Sequence, residues 1–175
     1  MLQLILTSLP YDRIPAQAVV STFFKDVRPL QGTSALIDWR LNGRLSRLIL
    51  DHRISGEYLE TLMVPLNGRL RAKELLLFGL GSLSEWNEKR LGSLLESIIS
   101  KSSGMRYRQI VFSFEDLAKD FMEWRNYLRE LVVHLYPLAE ERDISFVCRE
   151  NDKWIAETRR RNMDLGVDVQ IDYDF

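Results

Sequence analysis

The feature that most restricts this chain is the alternation, through its second half, of short apolar runs with stretches of helical spacing. The runs Leu2–Leu6, Ala18–Phe24, Tyr58–Val64, Glu74–Phe78, Gln109–Phe114, Ile144–Cys148 and Val167–Tyr173 are rich in branched or aromatic residues and bounded by turn or charged residues, as strands are. Leu117, Phe121, Trp124, Leu128, Leu131, Leu135 and Leu138 recur in steps of four and three, which puts one apolar stripe on a helix. Leu91, Leu94, Leu95, Ile98 and Ile99 predict a second helix, with Ser84 as its N-cap and Gly104 at its end. A third is expected from about Thr33 to Asp51, burying Ile37, Leu41, Leu45 and Leu48, and a fourth from about Asp152 to Asn162. Parallel strands need crossovers long enough to hold a helix, so the alternation predicts a largely parallel sheet covered on both faces, a three-layer α/β/α sandwich.

With 175 residues, 46% of them hydrophobic, one domain spanning residues 1–175 is expected. Charged residues interrupt every apolar run well before the roughly 18 residues a membrane span requires. The apolar start, Met1 to Pro10, lacks a basic n-region and reads as a first strand. The single cysteine, Cys148, forbids an internal disulfide; its neighbours Phe146 and Val147 predict an inert buried thiol, and a cytoplasmic location fits. Twenty-four basic and 25 acidic residues give a formal charge of −1, so no global field would hold a polyanion and nucleic-acid binding is not expected.

Several local patterns bear on function. Arg40, Arg44 and Arg47 follow at spacings of four and three, which on one continuous helix gives a basic stripe suited to an anion or a partner protein, or else a solvated face paired with acids such as Asp51 and Glu57. Asp38 and Trp39 read as structural, a carboxylate accepting from helix amides and an indole packed against the sheet. Gly79, Leu80, Gly81 and Ser82 follow an apolar strand and precede a helix, where α/β folds place anion-binding amides. The run lacks the third glycine of a dinucleotide loop and the lysine of a phosphate loop, so a tight turn requiring positive φ competes with a phosphate or ADP-ribose cradle.

His52 and His134 lie far apart with no third soft ligand in a recognisable spacing, so neither a metal site nor a cofactor is expected. Arg159, Arg160 and Arg161 suit the last turn of the fourth helix. Val167, Val169, Ile171, Tyr173 and Phe175 alternate with Asp168, Gln170, Asp172 and Asp174, as in an edge strand guarded by charge or else a chelating acidic face.

The stretch Asp38-Trp39-Arg40-Leu41-Asn42-Gly43-Arg44-Leu45-Ser46-Arg47, with Arg28-Pro29-Leu30-Gln31-Gly32 before it and Gly56-Glu57 and Leu75-Leu76-Leu77-Phe78-Gly79-Leu80-Gly81 after it, resembles the N-terminal domain of leucyl aminopeptidases, peptidase family M17. The resemblance implies a macro-domain-like fold with a mixed sheet between helical layers. It also implies that the metal ligands and the catalytic lysine and arginine belong to a C-terminal domain that 175 residues do not hold, so no catalytic residue carries over to any position here.

Two roles follow as expectations: a non-catalytic module that self-associates or binds another protein, the full enzymes being hexamers, or a macro-domain-like binder of ADP-ribose or a related nucleotide. A separate aminopeptidase catalytic subunit is a further partner the resemblance suggests.

Overall fold

The computed structural model describes residues 2–113, 122–141, 144–160, 165 and 169–173. Its strands are β1 (Leu2–Thr7), β2 (Ala18–Phe23), β3 (Thr61–Pro65), β4 (Glu74–Gly79), β5 (Gln109–Phe112), β6 (Ser145–Arg149) and β7 (Val169–Asp172), in one sheet ordered β3-β4-β2-β5-β6-β1-β7. Among the described residues only the β3–β4 pair is antiparallel, so the sheet is mixed and largely parallel, as expected. Among the described residues five α-helices accompany it: α1 (Gly32–Arg40), α2 (Arg44–Leu50), α3 (Glu88–Gly104), α4 (Trp124–Glu141) and α5 (Asp152–Arg160).

Strand alternation divides the core in two. Leu4, Val20, Phe78, Ile110 and Phe146 point to one face, where Leu91, Leu94 and Ile98 of α3 and Tyr127, Leu128 and Leu131 of α4 cover them. Val19, Leu75, Leu77, Val111 and Val147 point to the other, under Ile37, Leu41 and Leu45. On the first face Trp154 of α5 stacks on Trp124 with ring centroids 5.0 Å apart, and the Trp124 indole donates to Thr158 Oγ1 at 2.7 Å. The three-layer arrangement follows directly.

The expected stripe of α4 is buried at Trp124, Leu128, Leu131 and Leu135. Leu117, Phe121 and the side chain of Leu138 lie outside the described residues, as do Phe114, Arg161, Val167, Asp168, Asp174 and Phe175. Cys148 is free and fully buried, and burial pushes its thiol well above the usual range. Strand β7 is an edge of the sheet, with Val169 and Ile171 on the α3–α4 side and Gln170 and Asp172 on the other.

Four expectations need correction. The helix expected over Thr33–Asp51 is two helices, because Asn42 and Gly43 both take left-handed φ, of 55° and 74°. The Asn42 amide donates to Trp39 O and the Gly43 amide to Asp38 O, closing α1 in a Schellman turn. The N-cap of α3 is Asn87, whose side chain accepts the Arg90 amide, while Ser84 lies in a single 3-10 turn before it.

Strand β3 begins at Thr61 rather than Tyr58, since Leu59 has φ 64° and breaks the extended run. Trp39 is not packed on the sheet but 69% exposed. Helical periodicity explains it: Ile37 and Leu41 face the sheet, which turns residue 39 to the far side.

Candidate functional site

The parallel strands end together at Thr7, Phe23, Gly79, Phe112 and Arg149, the edge where sheets of this kind bind ligands. The Gly79–Ser82 turn lies at that edge, after β4. Three of its four amides are committed: Gly79 donates to Glu60 O, Leu80 to Phe23 O and Gly81 to Gly56 O, and just past the turn the Leu83 amide goes to the Asp26 carboxylate at 3.0 Å. Gly81 has φ 74°. The turn is built for close backbone approach, and a carboxylate stands at the 3-10 turn that follows it.

The facing segment is held by one side chain. Glu60 Oε2 accepts the amides of Ser55, Gly56 and Glu57 at 2.9, 2.8 and 3.1 Å and the Ser55 hydroxyl at 2.7 Å. Burial raises the Glu60 carboxyl, but those hydrogen bonds outweigh it and hold the group below its ordinary value.

The arginine stripe is broken by the turn after α1. Arg40 pairs with Asp12 and lies over the Trp39 ring, 5.0 Å from its centroid. Arg44 and Arg47 belong to α2, where Arg44 Nη1 donates to Pro65 O at 3.2 Å. With Arg69, which lies outside the helical spacing of the stripe, they line a separate hollow together with Leu41, Asn42, Leu66 and Asn67. The signal that could have found it is the second Asn-Gly pair, Asn67-Gly68, a left-handed turn that brings Arg69 opposite α2.

Asp38 does what a capping carboxylate does, accepting the Leu45 and Ser46 amides at 2.7 and 3.2 Å and the Ser46 hydroxyl. Glu57 pairs with Lys25 at 3.1 Å rather than with an arginine of the stripe. His134 sits between Glu96 and Glu130, 3.7 Å from each, and His52 follows the end of α2. Among the described residues no three His, Cys, Asp or Glu side chains converge as metal ligands.

A cleft of about 510 Å³ also opens beyond the ends of β1 and β7, lined by Thr7, Ser8, Asp152, Arg159, Arg160 and Tyr173 among others. In it the Arg159 guanidinium stands 4.8 Å from the centre of the Tyr173 ring.

The family model described as cytosol aminopeptidase family, N-terminal domain, matches residues 19–135. This chain belongs to that family. The match to the aminopeptidase N-terminal domain thus extends well past the segment on which the resemblance was read.

A probable cytosol aminopeptidase of Sulfurihydrogenibium sp. is 29% identical over 106 residues, 61% of this chain and 21% of the relative. The cytosol aminopeptidase of Buchnera aphidicola subsp. Acyrthosiphon pisum is 27% identical over 166 residues, 87% of this chain and 33% of the relative. The chain therefore spans a fifth to a third of the length of these curated relatives.

Among solved structures, a mutant of tomato leucine aminopeptidase superposes with TM-score 0.63 at 11% identity, covering 91% of this chain and 35% of that one. The macrodomain of Thermus aquaticus DarG gives 0.66 at 10% identity over 85% of this chain and 98% of its own. A Trypanosoma brucei macrodomain in complex with ADP-ribose gives 0.66 at 19%, covering 89% and 68%. At these identities the aminopeptidase N-terminal domain shares the macrodomain fold, and the likeness extends no further.

Proposed function

We propose that residues 1–175 act as one non-catalytic domain of the aminopeptidase type, cytoplasmic and working in assembly by docking on another aminopeptidase polypeptide. One observation carries this reading: Trp39 is 69% exposed, with Leu36 one helical turn before it on the same outward side of α1. Exposed tryptophans anchor interfaces, and the Arg40 guanidinium on the ring adds the cation that interface centres favour. The relatives carry this region as a minor part of a longer chain, so a second copy or an aminopeptidase catalytic portion is the natural occupant.

Light scattering during size exclusion, alone and with a cytosol aminopeptidase catalytic portion, tests it. A defined oligomer or complex that Trp39→Ala abolishes, without a change in melting temperature, supports the reading. A monomer that ignores the catalytic portion sinks it.

A second reading, binding of ADP-ribose or a related nucleotide, is favoured by the cleft beyond β1 and β7. It supplies an aromatic ring and two arginines at the ligand edge of the sheet. Calorimetry with ADP-ribose on the wild type and on Arg159→Gln decides it: heat at millimolar ligand that the substitution removes supports nucleotide binding, and no heat ends it.

A further inference from the structure

The hollow between the two Asn-Gly turns carries charge of one sign. Its lining, Leu41, Asn42, Arg44, Arg47, Leu66, Asn67 and Arg69, contains three guanidinium groups, two carboxamides and no carboxylate, around a volume of about 430 Å³. None of the three arginines makes an ion pair with a described residue. Asp38, the acid of the adjoining helix turn, spends its oxygens on the start of α2. Three like charges gathered without a counter-ion repel one another, and an oxyanion placed among them removes that repulsion.

One of the three guanidinium groups is also tethered. The Arg44 guanidinium donates to Pro65 O at 3.2 Å, and Arg47 follows it by three residues on α2. Across the hollow, Asn67 and Gly68 have φ of 49° and 77° and the Arg69 amide donates to Leu66 O at 2.9 Å, the features of a two-residue left-handed turn. Asn42 and Gly43 form the matching rim on the α1 side. Two left-handed turns, each led by an asparagine, thus bracket the arginines.

We infer that this hollow binds the phosphate group of a small phosphomonoester. Guanidinium forks match phosphate oxygens in pairs, and the asparagine amides supply neutral donors for a third oxygen. Leu41 leaves a small apolar surface at the floor of the hollow against which the esterified group can rest, and the volume suits a small ligand. The inference rests on a different part of the surface from the Trp39 docking reading and stands or falls separately.

The test uses the whole chain in chloride buffer at constant ionic strength, titrated with inorganic phosphate and with phenyl phosphate and followed by calorimetry and 15N-resolved NMR. The expected result is saturable binding, tighter for phenyl phosphate, with the Asn42, Gly43, Asn67 and Gly68 resonances moving together. Arg47→Gln and Arg69→Gln each weaken it about tenfold, as the loss of a charge-assisted hydrogen bond does, while Arg129→Gln on α4 leaves it unchanged. The site is overturned if chloride reproduces the effect, if the moving resonances scatter over the surface, or if both hollow variants bind as the wild type does. Phosphate binding as tightly as phenyl phosphate overturns the assignment to an ester.

Discussion

The backbone of Glu57 passes so close to Gly79 that a Cβ at position 79 would stand 2.2 Å from the Glu57 carbonyl oxygen. The neighbouring Gly56 carbonyl carbon would be 2.6 Å away, and both obstacles are backbone. The glycine at the end of β4 is therefore fixed by the segment that Glu60 pins against it.

Gly79→Ala is expected to cost about 3 kcal/mol, toward the upper end for an overpacked site, because neither backbone can move without breaking the Gly79–Glu60 and Gly81–Gly56 hydrogen bonds. Urea denaturation measures it. A cost below about 0.5 kcal/mol would show that the loop yields freely.

Glu60 ties stability to pH. Its carboxyl is depressed in the folded state, so its contribution is present above the unfolded carboxyl pKa and is lost as pH falls through the lower folded value. The stability difference between wild type and Glu60→Ala should accordingly shrink on acidification below about pH 4. Denaturation curves from pH 3 to 6 would show the two chains converging; a constant gap would contradict the hydrogen-bonded carboxylate.

Asp38→Ala should destabilise the chain by about 1–2 kcal/mol, since it strips the start of α2 of its acceptor. Ser46→Ala, which removes only the hydroxyl partner, should cost less. Reversal of that order in thermal melts would mean that α2 does not depend on the carboxylate.

Thr158→Val leaves the buried Trp124 indole N–H without its acceptor at nearly constant volume. A loss of about 1–3 kcal/mol is expected from an orphaned buried donor. Equilibrium unfolding of the variant provides the number, and a neutral result would imply a replacement partner.

Cys148 should resist thiol reagents at pH 8 in the native state and react at once in denaturant. Its thiol is raised by burial first and by the nearby Glu150 second, so almost no thiolate forms. Rapid native labelling would place the residue at the surface.

Much of the layer order was legible because it depends on periodicities that burial enforces. The α3 run from Leu91 to Ile99 and the α4 stripe from Trp124 to Leu135 kept their faces, and β2, β4 and β6 kept their bounds to within a residue or two. What misled was local backbone chemistry. Asn42-Gly43 sits inside a sequence whose leucines continue at helical spacing, so the apolar pattern alone could not show a left-handed turn there. That turn sends Arg40 to Asp12 and leaves Arg44 and Arg47 to meet Arg69. Arg69 itself was invisible to a search along one helix, because its neighbours are neighbours only in space.

The two layers that sandwich the sheet differ in grain. One is built from the 17-residue α3 and the 18-residue α4 with the nine-residue α5 beside them, the other from the nine-residue α1, the seven-residue α2 and a three-residue turn at Tyr11–Arg13. Short helices hold few internal hydrogen bonds and lean wholly on their packing. Amide protons of α1 and α2 should thus exchange with deuterium through partial opening, well ahead of those in α3 and α4, which wait for the whole molecule to unfold. The tryptophan face and the arginine hollow both ride on the faster-exchanging layer, so an occupant of either would be read most directly as slowed exchange there.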